Sequence, residues 1–280
     1  MDEVAIIGAG ELGGALAHVL ARRDVARLVR LVDEKGRVAE GKALDIAQAA
    51  PVERFATTLS GSTDVSTAAG ATVIVLADRM GAGEWQGEEA LQVVRQLARS
   101  APQTILLCAG ALQRETIDRA VLELGSPRTR LFGSAPEALA SGARALVALA
   151  VDGSPRDVSL TVLGVPPAQT VIPWEDATLA GYALTRLVGE PARRHLHARV
   201  AALWPPGPYA LATAAALVVE AIAGRSHRAV SCFVAPDTSS GHKVRTTALT
   251  VRLGPAGIEN IVLPSLSVVE RVALDNAMQI

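Results

Sequence analysis

The chain has 280 residues, half of them hydrophobic and a fifth charged, with a mean hydropathy of +0.30; this excludes a disordered polymer and allows a sizeable buried core. Twenty-seven basic residues face 28 acidic ones, a formal net charge of −1, so there is no electrostatic case for a nucleic-acid partner. The longest apolar runs, 145–151 and 214–219, stop short of the ~20 residues a membrane span requires.

In chain order, short apolar runs at 4–7, 28–32, 55–59, 72–77 and 104–108 predict strands. Helical spacing predicts helices over 11–23, 37–49, 87–99 and 113–124, the second stopping before Pro51. This alternation predicts an α/β fold with a Rossmann-type, doubly wound parallel sheet. The rhythm changes after Phe132. An Ala-rich helix is predicted over 136–150, then a strand over 158–163 ending at Gly164-Val165-Pro166-Pro167. Further helices are predicted over 180–187, 192–203 and 209–223. Segments 227–235, 243–253 and 258–262 predict an antiparallel meander, and a final helix covers 268–278. No Pro-, Gly- or Ser-rich linker separates the halves, so two packed domains are expected, 1–134 and 135–280.

Gly8-Ala9-Gly10-Glu11-Leu12-Gly13 follows the first strand and opens the first helix. That context turns a weak GxGxxG pattern into a candidate dinucleotide cradle. Gly8 permits the tight turn, Gly10 admits a pyrophosphate close to the backbone, and Gly13 lets helix and strand pack. The amides of Glu11 and Leu12 would point from the helix N-terminus at the phosphates. Asp33 ends the second strand, placed to accept from an adenosine ribose, which favours NAD over NADP. The plain alternative is a Rossmann-type turn that holds nothing.

These motifs, with Leu31-Val32-Asp33-Glu34, the segment from Glu40-Gly41-Lys42 to Ala50-Pro51, Ser60-Gly61-Ser62, Val219-Glu220-Ala221-Ile222 and Gly254-Pro255-Ala256-Gly257-Ile258-Glu259, resemble the lactate/malate dehydrogenase family. The likeness runs over 4–277 and is strongest to the bacterial malate dehydrogenases. It implies an NAD-binding Rossmann domain, a mixed α+β substrate-type domain, and hydride transfer between NAD and a 2-hydroxy acid. That chemistry needs a His as general acid/base, a carboxylate to orient it, and arginines to grip the substrate carboxylate.

The resemblance also marks where this sequence departs. The family's catalytic His loop corresponds to Val165-Pro166-Pro167-Ala168-Gln169, which holds no group that exchanges a proton near neutral pH. The orienting Asp corresponds to Leu139 and a substrate Arg to Gly142, while Arg144 retains a second arginine. Helical geometry keeps Arg144 and Glu137 from replacing the groups lost at 142 and 139. The loop arginines correspond to Gly81 and Gly87, with Arg79 nearby, and the nicotinamide-positioning Asn to Ala109. No catalytic residue is therefore assigned. The family's Thr-Ala-Gly after the fourth strand is Leu76-Ala77-Asp78 here, and Asp78 would weaken NAD binding unless it turns outward or pairs with Arg79.

His18, His195, His197, His227 and His242 read as surface or packing residues, the middle pair on a basic face and the last two in the C-terminal strands, and no spacing suggests a metal. Cys108 and Cys232 read as buried reduced thiols, Cys108 with the alternative of a reactive one, and Trp85, Trp174 and Trp204 as packing or interface residues. Asp2 and Glu3 stand where a secretory leader would be basic, and the expected compartment is the cytoplasm. The expectation is a degenerate family member that binds NAD(H), forms a homo-oligomer (dimer or tetramer) and lacks ordinary 2-hydroxy acid dehydrogenase activity. One alternative is an NAD-dependent oxidoreductase with a relocated base and a less polar substrate. Another is a purely structural partner subunit.

Overall fold

The computed structural model describes residues 1–35, 37–237 and 245–279. The first half alternates β1 (Glu3–Ile7), α1 (Glu11–Arg22), β2 (Leu28–Val32), α2 (Val38–Glu53), β3 (Thr58–Ser62) and β4 (Val73–Leu76). It continues through a small hairpin, β5 (Asp78–Arg79) and β6 (Gly83–Glu84), then α3 (Gly87–Ser100), β7 (Ile105–Cys108), α4 (Arg114–Leu124) and β8 (Leu131–Gly133). Strands β3, β2, β1, β4, β7 and β8 lie side by side in that order, all parallel. Most of their apolar residues are buried, as a parallel sheet of near-continuous hydrophobic strands requires. The predicted α/β, Rossmann-type sheet is therefore the observed one.

The second half opens with α5 (Ala135–Ala150), then β9 (Val158–Ser159), β10 (Leu163–Val165), β11 (Gln169–Val171), β12 (Thr178–Leu179) and β13 (Tyr182–Ala183). After α6 (Leu184–Leu187), α7 (Glu190–Ala201) and α8 (Pro208–Ile222) come β14 (Val230–Val234), β15 (Thr247–Gly254), β16 (Gly257–Ile261) and α9 (Val268–Met278). β14, β15 and β16 form an antiparallel meander, and β14 pairs with β8 through Phe233 and Gly133. One sheet thus runs continuously from the parallel to the antiparallel half. A second apolar cluster, including Leu139, Val147, Leu160, Val162 and Leu196, fills the space around α5 and α7.

Four predicted elements are corrected. Helix α2 passes through Pro51 for a last turn and ends where Arg54 adopts φ 61°, its amide bonding to Ala50 O. The third strand begins at Thr58, not 55, because the amides of Ala56 and Thr57 are held by the Asp24 carboxylate. The strand predicted over 158–163 is split, and at the break Arg144 Nε donates to Leu160 O. Residues 180–183 form the turn and second strand of a hairpin, not a helix, with Ala180 and Gly181 both at positive φ. Lys243 and His242 lie outside the described residues, and His227 precedes β14. No helix among the described residues is long and apolar enough to cross a membrane.

Candidate functional site

Open parallel sheets bind ligands in the crevice at the C-terminal ends of their strands, here those of β1, β4 and β7. β1 ends in Gly8 at φ +115°, a conformation that favours glycine, and a Cβ there would overlap the Asp78 carbonyl. The chain then turns into α1, whose first amides face the crevice. Asp78 follows β4 and neither turns outward nor pairs with Arg79, contrary to both expected escapes. Its Oδ1 accepts from Gly13 N at 2.9 Å and its Oδ2 from Leu12 N at 3.2 Å. A Cβ on Gly10 would overlap that carboxylate. The anion at the α1 N-terminus is thus the protein's own, favoured there by the helix dipole and the exposed amides.

Asp33 lies where expected, after β2, and is buried. Its Oδ2 accepts from Ala9 N (2.8 Å) and Met80 N (3.0 Å), and its Oδ1 from Lys35 N (3.0 Å). Burial opposes its charge, but these three amides and the Lys42 ammonium outweigh that and hold its pKa below the ordinary carboxylate value. Lys42 Nζ donates to Gly10 O at 2.6 Å, tying α2 to the glycine turn. Glu11, the other amide proposed for the phosphates, is exposed at the start of α1.

Beyond β7, Ala109 is fully buried, and Gln113 closes the following turn by accepting from Gly110 N (2.9 Å) and donating to Ala77 O (3.2 Å). Glu84 carries no sequence motif that marks it. Its two oxygens accept from Ala111 N (3.0 Å) and Leu112 N (2.8 Å). Cys108 is buried, and burial, with the Glu84 charge, pushes its thiol up to about 12, which removes the reactive-thiol reading. Arg79 stacks 4.4 Å over the Trp85 ring and pairs with Glu89 at 2.6 Å. It does not reach into the cleft. Trp85 is buried, its indole N–H donating to Ile7 O at 3.1 Å.

The positions around α5 are apolar or closed. Leu139 is 1% exposed within the second core cluster, and a Cβ on Gly142 would lie 2.7 Å from Leu203 Cδ1. Pro166 is buried in the short turn joining β10 to β11. Glu137 and Arg144 pair with each other, at 2.7 Å. His18 bonds Glu53 at 3.1 Å, and Trp204 packs edge-on against Phe233 with ring centroids 5.9 Å apart.

Residues 2–99 match the family model described as lactate/malate dehydrogenase, NAD binding domain. Malate dehydrogenase from Thioalkalivibrio sulfidiphilus is 28% identical over 296 residues, covering 99% of this chain and 96% of the relative. The chain is similar to the lactate/malate dehydrogenase family, over residues 2–99 by the family model and over nearly its whole length by this relative. The Thermomicrobium roseum malate dehydrogenase is 29% identical over 290 residues, covering 97% of this chain and 93% of that one. The fold is shared with malate dehydrogenase from Salinibacter ruber (TM-score 0.85, 24% identity, 98% of this chain and 93% of that chain). It is shared too with the Cryptosporidium parvum lactate dehydrogenase complexed with lactic acid and nicotinamide adenine dinucleotide (TM-score 0.86, 20% identity, 99% and 94%). Residues 2–99 are thus similar to an NAD-binding domain, which supports NAD as the cofactor.

Proposed function

We propose that this lactate/malate dehydrogenase-like protein binds NAD(H) but does not catalyse ordinary 2-hydroxy acid oxidation. The reading rests on Leu139, Gly142 and Ala109: where the resemblance places a carboxylate, a guanidinium and an amide, this chain has a buried leucine, a half-buried glycine and a buried alanine. Leu139, Gly142 and Ala109 themselves supply neither a cation to grip a 2-oxo acid nor a proton donor for the developing oxyanion. The cofactor residues in this reading are Gly8, Gly10, Glu11, Leu12, Gly13 and Asp33, in a domain of residues 1–134, with 135–280 as the C-terminal-like domain. A binding, sensing or scaffolding role follows. Calorimetry with NADH tests the cofactor half, and NADH oxidation against oxaloacetate and pyruvate tests the rest. Turnover with either acid would sink the proposal.

A second reading keeps an enzyme, with Glu84 as a relocated base acting on a less polar substrate. In its favour, burial pushes the Glu84 carboxyl above its ordinary value at the C-terminal ends of the strands. NADH-dependent turnover of a ketone or aldehyde, abolished in Glu84→Gln, would select it. Self-association belongs to the same proposal: Val52 on α2 and Tyr209 on α8 are apolar and over three-quarters exposed. Light scattering on the purified protein reads the assembly. The two buried thiols fit a reducing, cytoplasmic setting.

A further inference from the structure

Residues 78–85 lie across the whole crevice as one unit. β5 and β6 pair Asp78 with Glu84 and Arg79 with Gly83, and Gly81 and Gly83 take positive φ in the turn. This hairpin is pinned at each place a dinucleotide would use. Asp78 holds the Leu12 and Gly13 amides, Met80 N–H occupies Asp33, and Glu84 holds the Ala111 and Leu112 amides beyond β7. Trp85 anchors its end to Ile7. A diphosphate and the Asp78 carboxylate require the same N–H groups, and each carries negative charge. Both cannot sit at the α1 N-terminus together.

We infer that the hairpin of residues 78–84 is an internal competitor for the dinucleotide, with the Asp78 carboxylate standing in for the diphosphate. NAD(H) binds only the form in which this hairpin has moved off the crevice. The inference rests on the reading that the chain binds NAD(H). Its consequence is quantitative: apparent affinity falls by the fraction of molecules whose hairpin is displaced. A displaced fraction of about 1–10% weakens binding by about 10- to 100-fold. Three carboxylates hold the hairpin, so neutralising Asp78 releases its phosphate-side hold while the Asp33 and Glu84 contacts remain.

The test compares wild type, Asp78→Asn and Asp78→Gly by calorimetry with NADH, after thermal melts show that each is folded. It adds amide hydrogen exchange of the wild type with and without saturating NADH. Both variants are expected to bind about 10- to 100-fold more tightly than wild type. In the wild type, NADH is expected to slow exchange over 8–14 and speed it over 79–85. If wild type binds NADH and the folded variants bind equally or more weakly, the competitor is overturned while the NAD reading stands. The competitor is likewise overturned if NADH binding to the wild type leaves exchange over 79–85 unchanged or slower. If Asp78→Gly does not fold, Asp78→Asn decides, since it keeps the side-chain shape and removes the charge. No binding by any form at millimolar NADH overturns both readings.

Discussion

Glu137 and Arg144, two turns apart on α5, form an ion pair at 2.7 Å with 1% and 7% of their surfaces exposed. Arg144 Nε also donates to Leu160 O, and Glu137 accepts from Ser231 N at 2.8 Å, so the pair clasps α5 to β14 and to the segment between β9 and β10. Their role is structural. Glu137→Ala leaves a buried guanidinium unpaired and is expected to destabilise the protein by about 3–5 kcal/mol. The double change Glu137→Leu with Arg144→Met is expected to recover most of that loss, because a packed apolar pair avoids desolvating two charges. Denaturant midpoints measure both. A single-mutant loss within about 0.5 kcal/mol, the range of an ordinary surface change, would contradict the assignment.

Asp33 gives an acid-side signature. Its folded pKa lies below the ordinary value because the Ala9, Lys35 and Met80 amides and Lys42 outweigh the burial that opposes its charge. A lowered folded pKa contributes stability that is fully present above the ordinary value of 3.8 and lost as pH falls through the folded one. Asp33→Asn is therefore expected to flatten the acid limb of the stability curve. It is also expected to weaken NADH binding, because Asn presents one acceptor oxygen where Asp presents two. Urea midpoints below about pH 4 and calorimetry at neutral pH check the two halves, the first window being set by the carboxylate reference value.

Glu84 works with the opposite sign. Burial, with the Asp78 charge beside it, raises its folded pKa even though the Leu112 and Ala111 amides pull it down. Folding therefore favours its protonated form. The stability this adds is fully present below the ordinary value of 4.5 and lost as pH rises through the folded value. In Glu84→Gln that downward slope is expected to vanish. The measurement is the slope of stability with pH above 4.5, not its absolute level, because Gln also alters the hydrogen bonds to Ala111 and Leu112. An unchanged slope would show that Glu84 does not titrate there.

Much of the architecture was legible from β1 to α2, where apolar strands, the Gly8–Gly13 turn and helical spacing all agree. The hairpin of residues 78–84 was not. Its strands are two residues each, too short for any periodicity, and it is held by carboxylate contacts to residues distant in sequence. Sequence reasoning placed Asp78 near the phosphates, but only the fold shows the carboxylate already seated on Leu12 and Gly13. Glu84 emerged only through its register opposite Asp78. Residues 180–183 misled because helix-favouring alanines surround a two-residue hairpin turn, Ala180-Gly181, whose positive φ values suit the β12–β13 pairing.

Reinstating charge at the apolar positions separates a missing active site from a concealed one. Leu139 packs among Ala140, Ala143 and Val162, so Leu139→Asp buries a carboxylate with no cation assigned to receive it, Arg144 being engaged by Glu137. Gly142→Arg must displace Leu203, whose Cδ1 already stands where the new Cβ would press. Leu139→Asp is expected to cost roughly 3–5 kcal/mol, the range of an unpaired buried charge, and Gly142→Arg less, because Leu203 is 39% exposed and can give way. Leu203→Ala is expected to relieve part of the Gly142→Arg penalty, because the two share one space. Neither variant is expected to reduce oxaloacetate or pyruvate, since the turn at Pro166 still lacks a proton donor. Chemical denaturation reads the stabilities, and NADH absorbance reads the activity. Turnover in a folded Leu139→Asp, Gly142→Arg double variant would show that the remaining machinery is present after all.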